Sequence, residues 1–123
     1  MADNYSQGTV DPEIKKSDLK PEDLEKISEY ISVEEYDRDG ETYLYLFSEE
    51  YGDWDELSEV LKNCLKYLPI DYFTIQIANT CSKMRHGEFG GCALFITKEE
   101  IKYCDIWDWL MEQEKDFLEN VIK

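Results

Sequence analysis

The sequence predicts an α+β fold: a single domain in which a four-stranded antiparallel sheet carries about three helices on one face, in the order α-β-β-α-β-β-α. Three observations lead there. An Asp39-Gly40 pair separates residues 33–38 from 41–48, both rich in β-branched or aromatic side chains. Asp-Gly suits the two positive-φ positions of a type I′ hairpin turn. Residues 72–78 alternate, with Phe73, Ile75 and Ile77 on one side, the period of a half-buried strand. Apolar residues at spacings of three and four flank these strands, as amphipathic helices require.

Residues 1–18 are polar and include Gly8 and Pro12. They read as a flexible tail ahead of one domain over 19–123. Pro21 opens the first helix, since proline is tolerated at the first helical position. Leu24, Ile27 and Ile31 form its stripe, and it ends near Ser32. The hairpin follows. A turn centred on Asp39-Gly40 sets Tyr36 opposite Tyr43, Val33 opposite Leu46 and Glu34 opposite Tyr45. Arg38 and Glu41 would then close it as an exposed ion pair of small worth.

Asp53 caps the second helix, with Glu56 as its capping-box partner. Trp54, Leu57, Leu61, Cys64, Leu65 and Leu68 make its buried face, and Pro69 stops it. After the strand at 72–78, residues 80–91 form a glycine-rich loop and 92–96 a further strand. Thr97 and Glu100 cap a short helix. Asp105 begins the last helix, whose stripe includes Ile106, Trp109, Leu110, Phe117 and Val121. No internal repeat is visible.

A chain of 123 residues can hold one modest core. An aromatic content of 14% excludes an acidic disordered chain. A formal charge of -16 excludes direct binding to nucleic acid or anionic membrane, both of which need lysine and arginine to displace counterions. Residues 1–17 have no apolar run resembling a signal peptide, and no segment approaches the ~20 apolar residues that span a bilayer. A cytoplasmic protein is expected. Cys64, Cys81, Cys92 and Cys104 form no C-x-x-C pair and read as reduced, mostly buried thiols.

The charge is concentrated. Between Glu34 and Glu59 lie eleven carboxylates and one cation, Arg38. Residues 99–119 add eight acids against Lys102 and Lys115. Like charges this close raise the folding free energy, and salt screens them only beyond ~8–10 Å. A groove lined with lysine and arginine would relieve the repulsion and steer association. Carboxylates on alternate strand residues stand ~6.6–7 Å apart, and those at i and i+4 of a helix ~5–6 Å at Cβ, spacings compatible with a phosphate backbone. Tyr36, Tyr43, Tyr45, Tyr51 and Trp54 are interleaved with the acids. A nucleic-acid groove expects such a mixture, because bases stack while phosphates pair. Several of these rings equally suit the core. The expected contact set is Glu34, Glu35, Asp37, Asp39, Glu41, Glu49, Glu50, Asp53 and Asp55. The competing explanation is a solvated face that maintains solubility.

Chemistry finds little footing. Asp37 to Gly40 faintly suggests a calcium loop, but its twelfth position falls on Leu46, where a bidentate glutamate is required. His86 is the one histidine. Paired with Cys81 it lacks an orienting third group. A zinc site from Cys81, His86, Cys92 and Cys104 lacks the short paired spacings of such sites. No phosphate loop, nucleophile elbow or zincin motif occurs. Neither cofactor nor metal is expected. The loop over 80–91 is the least generic stretch and the only basic island. Lys83, Arg85 and Phe89 are its candidate secondary contacts.

Residues 80–91, Thr-Cys-Ser-Lys-Met-Arg-His-Gly-Glu-Phe-Gly-Gly, resemble a segment of small proteins from bacteriophages and other mobile elements. The whole chain, short and acidic, is similar in character to the phage-borne anti-restriction and anti-CRISPR DNA mimics. Those mimics share no common motif or fold, so no residue role carries over. The resemblance implies an anti-defence inhibitor that acts without turnover on a basic nucleic-acid-handling nuclease or effector complex in a bacterial cell. Two other classes fit less of the sequence: an immunity or antitoxin protein that neutralises a basic toxin, and a small enzyme using Cys81 and His86.

Overall fold

A computed structural model describes residues 4–84 and 89–122. The fold is α+β. Its strands are β1 (Asn4–Asp11), β2 (Ile14–Lys15), β3 (Ser32–Arg38), β4 (Glu41–Ser48), β5 (Phe73–Cys81), β6 (Gly90–Ile96) and β7 (Ile101–Asp105). Its helices are α1 (Pro21–Tyr30), α2 (Trp54–Cys64) and α3 (Ile106–Ile122), with a 3-10 turn at Lys16–Asp18. All seven strands join one antiparallel sheet. β3 and β7 are its edges. β4 pairs with β3 on one side and with both β1 and β2 on the other, and β5 and β6 bridge from β1 to β7.

The hairpin has the predicted register, with Tyr36 opposite Tyr43, Val33 opposite Leu46 and Glu34 opposite Tyr45. Asp39 and Gly40 take φ of 53° and 81°, the left-handed pair that a two-residue turn demands. The turn's ion pair is different. Glu41 reaches Lys15 at 3.3 Å, and the Arg38 guanidinium lies 4.4 Å from the centre of the Tyr43 ring. Facing strands put Arg38 over an aromatic face, which attracts a cation.

Three expectations need correcting. The sheet has seven strands where four were expected, and the difference starts at the N-terminus. Residues 4–11, read as a tail, pair with β5 along their whole length and lie inside the sheet. Only Val10 and, in β2, Ile14 are buried apolar residues there. Gln7, Thr9 and Asp11 are exposed, so the backbone ladder holds a strand that hydrophobicity does not mark. Second, residues 97–100 form a turn in place of a helix. The Thr97 hydroxyl accepts from the Glu99 and Glu100 N–H groups at 3.3 and 3.1 Å, and the Glu100 carbonyl accepts from the Thr97 N–H at 2.9 Å. The chain reverses there into β7. Third, α3 does not join the other helices on the sheet. Every residue from Ile106 to Val121 is exposed.

The core is therefore a two-layer arrangement. Ile27 of α1 and Leu57, Leu61 and Cys64 of α2, with Leu65 just beyond it, pack on Leu44, Leu46, Phe73, Ile75 and Ile96 of the sheet. The two helices meet at their ends, where the Asp53 N–H donates to the Tyr30 carbonyl at 3.0 Å. The opposite face of the sheet carries Gln7, Thr9, Tyr45, Phe47, Gln76, Ala78 and Ala93 and, among the described residues, has no covering layer. Among the described residues no helix is long and apolar enough to cross a membrane.

Candidate functional site: the acidic hairpin and the open sheet face

Strand alternation divides the acidic block between two faces. Glu34 stands opposite Tyr45 on the uncovered face, and Glu49, just past β4, lines the same groove. Glu35 points the other way and is bound by Lys16. Asp37 accepts a hydrogen bond from the Thr42 hydroxyl at 2.8 Å across the hairpin. Asp39 sits at the tip. Glu41 is held by Lys15. Glu50 lies in a smaller hollow with Tyr5, Tyr51 and Trp107, and its carbonyl accepts from the Ser6 N–H at 2.7 Å.

Asp53 serves the fold directly. Its carboxylate accepts from the Glu56 N–H at 3.4 Å and caps α2. Asp55, Glu56 and Glu59 lie with Ile101 and Tyr103 on the helical side of the molecule. The nine expected contacts thus do not share one surface. Glu34, Asp39, Glu49 and Glu50 are exposed and have no ion pair among the described residues. They follow the hairpin from tip to base, a span of ~27 Å for an eight-residue strand at ~3.4 Å per residue.

Compensation of charge is slight. The described residues hold three ion pairs, Lys15–Glu41, Lys16–Glu35 and Lys102–Glu100, all at the surface, where each contributes about 0–1 kcal/mol. Against 29 carboxylates and 13 cations in the chain, ion pairs among the described residues account for three carboxylates.

Aromatic rings accompany the hairpin acids. Tyr36 stacks on Tyr43 with centroids 5.9 Å apart, and Tyr45 on Phe47 at 5.1 Å. Trp54 instead turns inward, where its indole N–H donates to the Ser6 hydroxyl at 3.1 Å. Beside them runs an open groove of about 940 Å³, floored by Gln7, Thr9, Gln76, Ala78, Gly91 and Ala93 and bounded by Tyr45, Phe47, Glu34, Glu49, Cys104 and Ile106.

Of the secondary contacts, Lys83 is exposed, and its N–H donates to the Cys81 sulfur at 3.5 Å. Phe89 is exposed and borders the hollow that contains Trp107. Arg85 and His86 lie outside the described residues. Among those described, no three His, Cys, Asp or Glu side chains are grouped to hold a metal ion.

Sequence reasoning found the last helix but missed the groove beside it and the exposure of its apolar side. Small side chains at Ala78, Gly91 and Ala93 carry no signal of their own. The Trp107-Asp108-Trp109 run did carry one, since two such rings ten and eight residues before Phe117 form more apolar surface than one narrow stripe needs. The start of α3 is tightly built. The Asp105 carboxylate accepts from the Trp107 and Asp108 N–H groups at 2.7 and 3.2 Å and from the Tyr103 hydroxyl at 2.8 Å. These donors, the Tyr103 hydroxyl foremost, hold its pKa below the ordinary carboxylate value. Asp105 is thus an anion at a helix N-terminus, where the dipole favours it.

No protein-family model, curated protein or solved structure shows a significant match to this chain.

Proposed function

We propose that this protein is a stoichiometric inhibitor that lays its acidic hairpin in the basic nucleic-acid groove of another protein, a defence nuclease or effector complex in the bacterial cytoplasm. The observation that carries the reading is the row Glu34, Asp39, Glu49 and Glu50, exposed and without an ion pair among the described residues, spread along the hairpin with stacked aromatic rings between them. Charge held on a strand pair, its tight turn and the residues that leave it needs little backbone ordering upon docking, so less of the electrostatic gain is lost to entropy. Glu35, Asp37 and Glu41 are second-tier contacts, because each already has a partner within the chain. Asp53 and Asp55 lie toward α2 and would touch only a partner that wraps around the hairpin base.

The test is competition. Purified protein is titrated against DNA or RNA bound to candidate basic nucleases at several salt concentrations. Displacement that weakens as salt rises is expected, together with at least a tenfold loss for the combined variant Glu34→Lys, Asp39→Asn, Glu49→Lys and Glu50→Lys. Asn at position 39 keeps a residue that tolerates the left-handed turn. Undiminished displacement by this variant, with the same salt dependence, would refute the assignment. Tight binding to a small basic toxin without any competition by nucleic acid would show an immunity protein instead.

A further inference from the structure

Among the described residues, α3 beyond its first turn and most of the open sheet face have no covering layer, and we propose that they are partners of each other between two copies. In this exchange α3 of one protomer fills the groove over β1, β5 and β6 of its mate, and the reverse occurs across a two-fold axis.

Four observations converge. First, the helix is built for burial. Ile106, Trp107, Leu110, Met111, Phe117 and Leu118 fall on one arc of α3 about 140° wide, at 100° per residue. Trp107 and Phe117 are 60% and 66% exposed. The acids Asp108, Glu112, Asp116 and Glu119 occupy the other side, and Glu114 is the one acid within the arc. A soluble monomer rarely leaves a contiguous apolar patch beyond a few hundred Å².

Second, the helix leaves its own sheet after its first turn. β7 ends at Asp105 and α3 begins at Ile106. A strand-to-helix reversal takes ~2–6 connecting residues, and here there are none. Asp105 further fixes the exit direction through its bonds to the N–H groups of Trp107 and Asp108. The Ile106 side chain wedges against Gly91, where a Cβ would come within 3.1 Å of its Cδ1.

Third, the groove suits a helix. Its floor is made of small residues, Ala78, Gly91 and Ala93, between a ridge of Tyr45 and Phe47 and a wall containing Ile106. Small residues let a helix approach closely while its large side chains settle on either side. The 17-residue helix is ~25 Å long, close to the ~24–30 Å of strands with seven to nine residues.

Fourth, number and area close. Each chain supplies one uncovered helix and one uncovered face, so a single isologous exchange satisfies both. The apolar arc offers about 450 Å² per helix, taking the exposed 60–66% of ~200 Å² for each of two rings and about half of ~100 Å² for each of four aliphatic side chains. Two helices and the two faces they cover then bury about 1,800 Å², within the range of stable dimers.

Like charge opposes the union of two chains at -16 each. Dimerisation should therefore strengthen as salt screens the repulsion. Glu34 and Glu49 border the groove in both arrangements, but a complex with a basic groove weakens under the same change, so opposite salt responses tell the two proposals apart.

Sedimentation of the full chain at low and high salt tests the exchange. The expected mass is that of two chains, more fully so at high salt. Leu110→Glu with Phe117→Glu on the helix, and Ala78→Arg with Ala93→Arg on the face, should each halve the mass without changing the far-ultraviolet circular dichroism. All four residues are exposed in the protomer. An equimolar mixture of the two variants should regain a dimer, because one sound helix then meets one sound face. Should either double variant misfold, Phe117→Ser and Ala93→Gln are read in the same way. A wild-type chain that stays monomeric at every salt and concentration overturns the proposal. So does a face variant that dimerises as well as wild type, since the helices would then be pairing with something other than the sheet.

Discussion

The indole of Trp54 occupies the space above Gly8. A Cβ on Gly8 would lie 2.8 Å from the Cη2 and Cζ2 atoms of the ring and 2.7 Å from the Gln76 carbonyl oxygen. The same ring donates from Nε1 to Ser6 Oγ. The first residue of α2 is thereby fastened to β1, and a polar N-terminal segment becomes part of the core's frame.

Gly8→Ala should therefore destabilise the protein by about 1–3 kcal/mol, the usual cost of forcing an extra methyl group into a packed site. Urea denaturation of the variant checks this. A midpoint equal to wild type would mean that Trp54 is not seated against β1.

Asp53→Ala removes the cap of α2 and should cost about 1 kcal/mol, whereas Asp53→Asn should cost only a few tenths. Thermal melts of the two variants separate capping from charge. Equal losses would point to the negative charge instead of the hydrogen bond to Glu56.

Alkali should loosen this fold through its part-buried Tyr67 hydroxyl and its buried Cys64 thiol. Burial, aided by the bond to Asp23 at 2.6 Å, raises the Tyr67 pKa above its ordinary value of 10.0. Burial likewise raises the Cys64 thiol from 9.0 to about 11. Both groups keep their protons in the folded state at a pH where the unfolded chain has released them. Their contribution is thus complete below the unfolded values and is lost as pH climbs through and beyond them. The urea midpoint should hold near neutrality and fall from about pH 9 upward. Tyr67→Phe should cost about 1–2 kcal/mol at neutral pH, since Asp23 loses its donor, and should flatten the upper part of that decline. A decline as steep as wild type would assign it to other groups.

Thiol labelling reports both core and groove. Cys64 is buried and should react only on unfolding, while Cys104 is exposed on the groove wall and should react at once in a monomer. Mass spectrometry after brief alkylation at neutral pH reads the order directly. Faster labelling of Cys104 in the Ala78→Arg, Ala93→Arg variant than in wild type is the outcome expected if a second copy's helix shields it.

Much of the fold could be read in advance where a local rule governs it. Asp39-Gly40 set the hairpin register, Asp53 marked the start of α2, and alternation at Phe73, Ile75 and Ile77 marked β5. The misses have a common cause. β1 and β7 are held by backbone ladders to neighbours far along the chain, and Thr97 caps a turn with the same bonds that would begin a helix. The acidic residues of the candidate site were all visible, but which of them share a face depends on strand parity and on the chance of a nearby lysine. Glu35 and Glu41 illustrate this: only the fold brings Lys16 and Lys15 beside them.

The chain alone determined its class, its hairpin turn, the identity of most core positions and its large excess of negative charge, because these follow from propensity, periodicity and composition. Only the tertiary structure decided that the polar N-terminus lies inside the sheet, that the acids part between two faces, and that α3 and one sheet face remain uncovered. Those outcomes rest on contacts between residues distant in sequence, where hydrogen-bond ladders and the absence of a connecting loop outweigh any local preference.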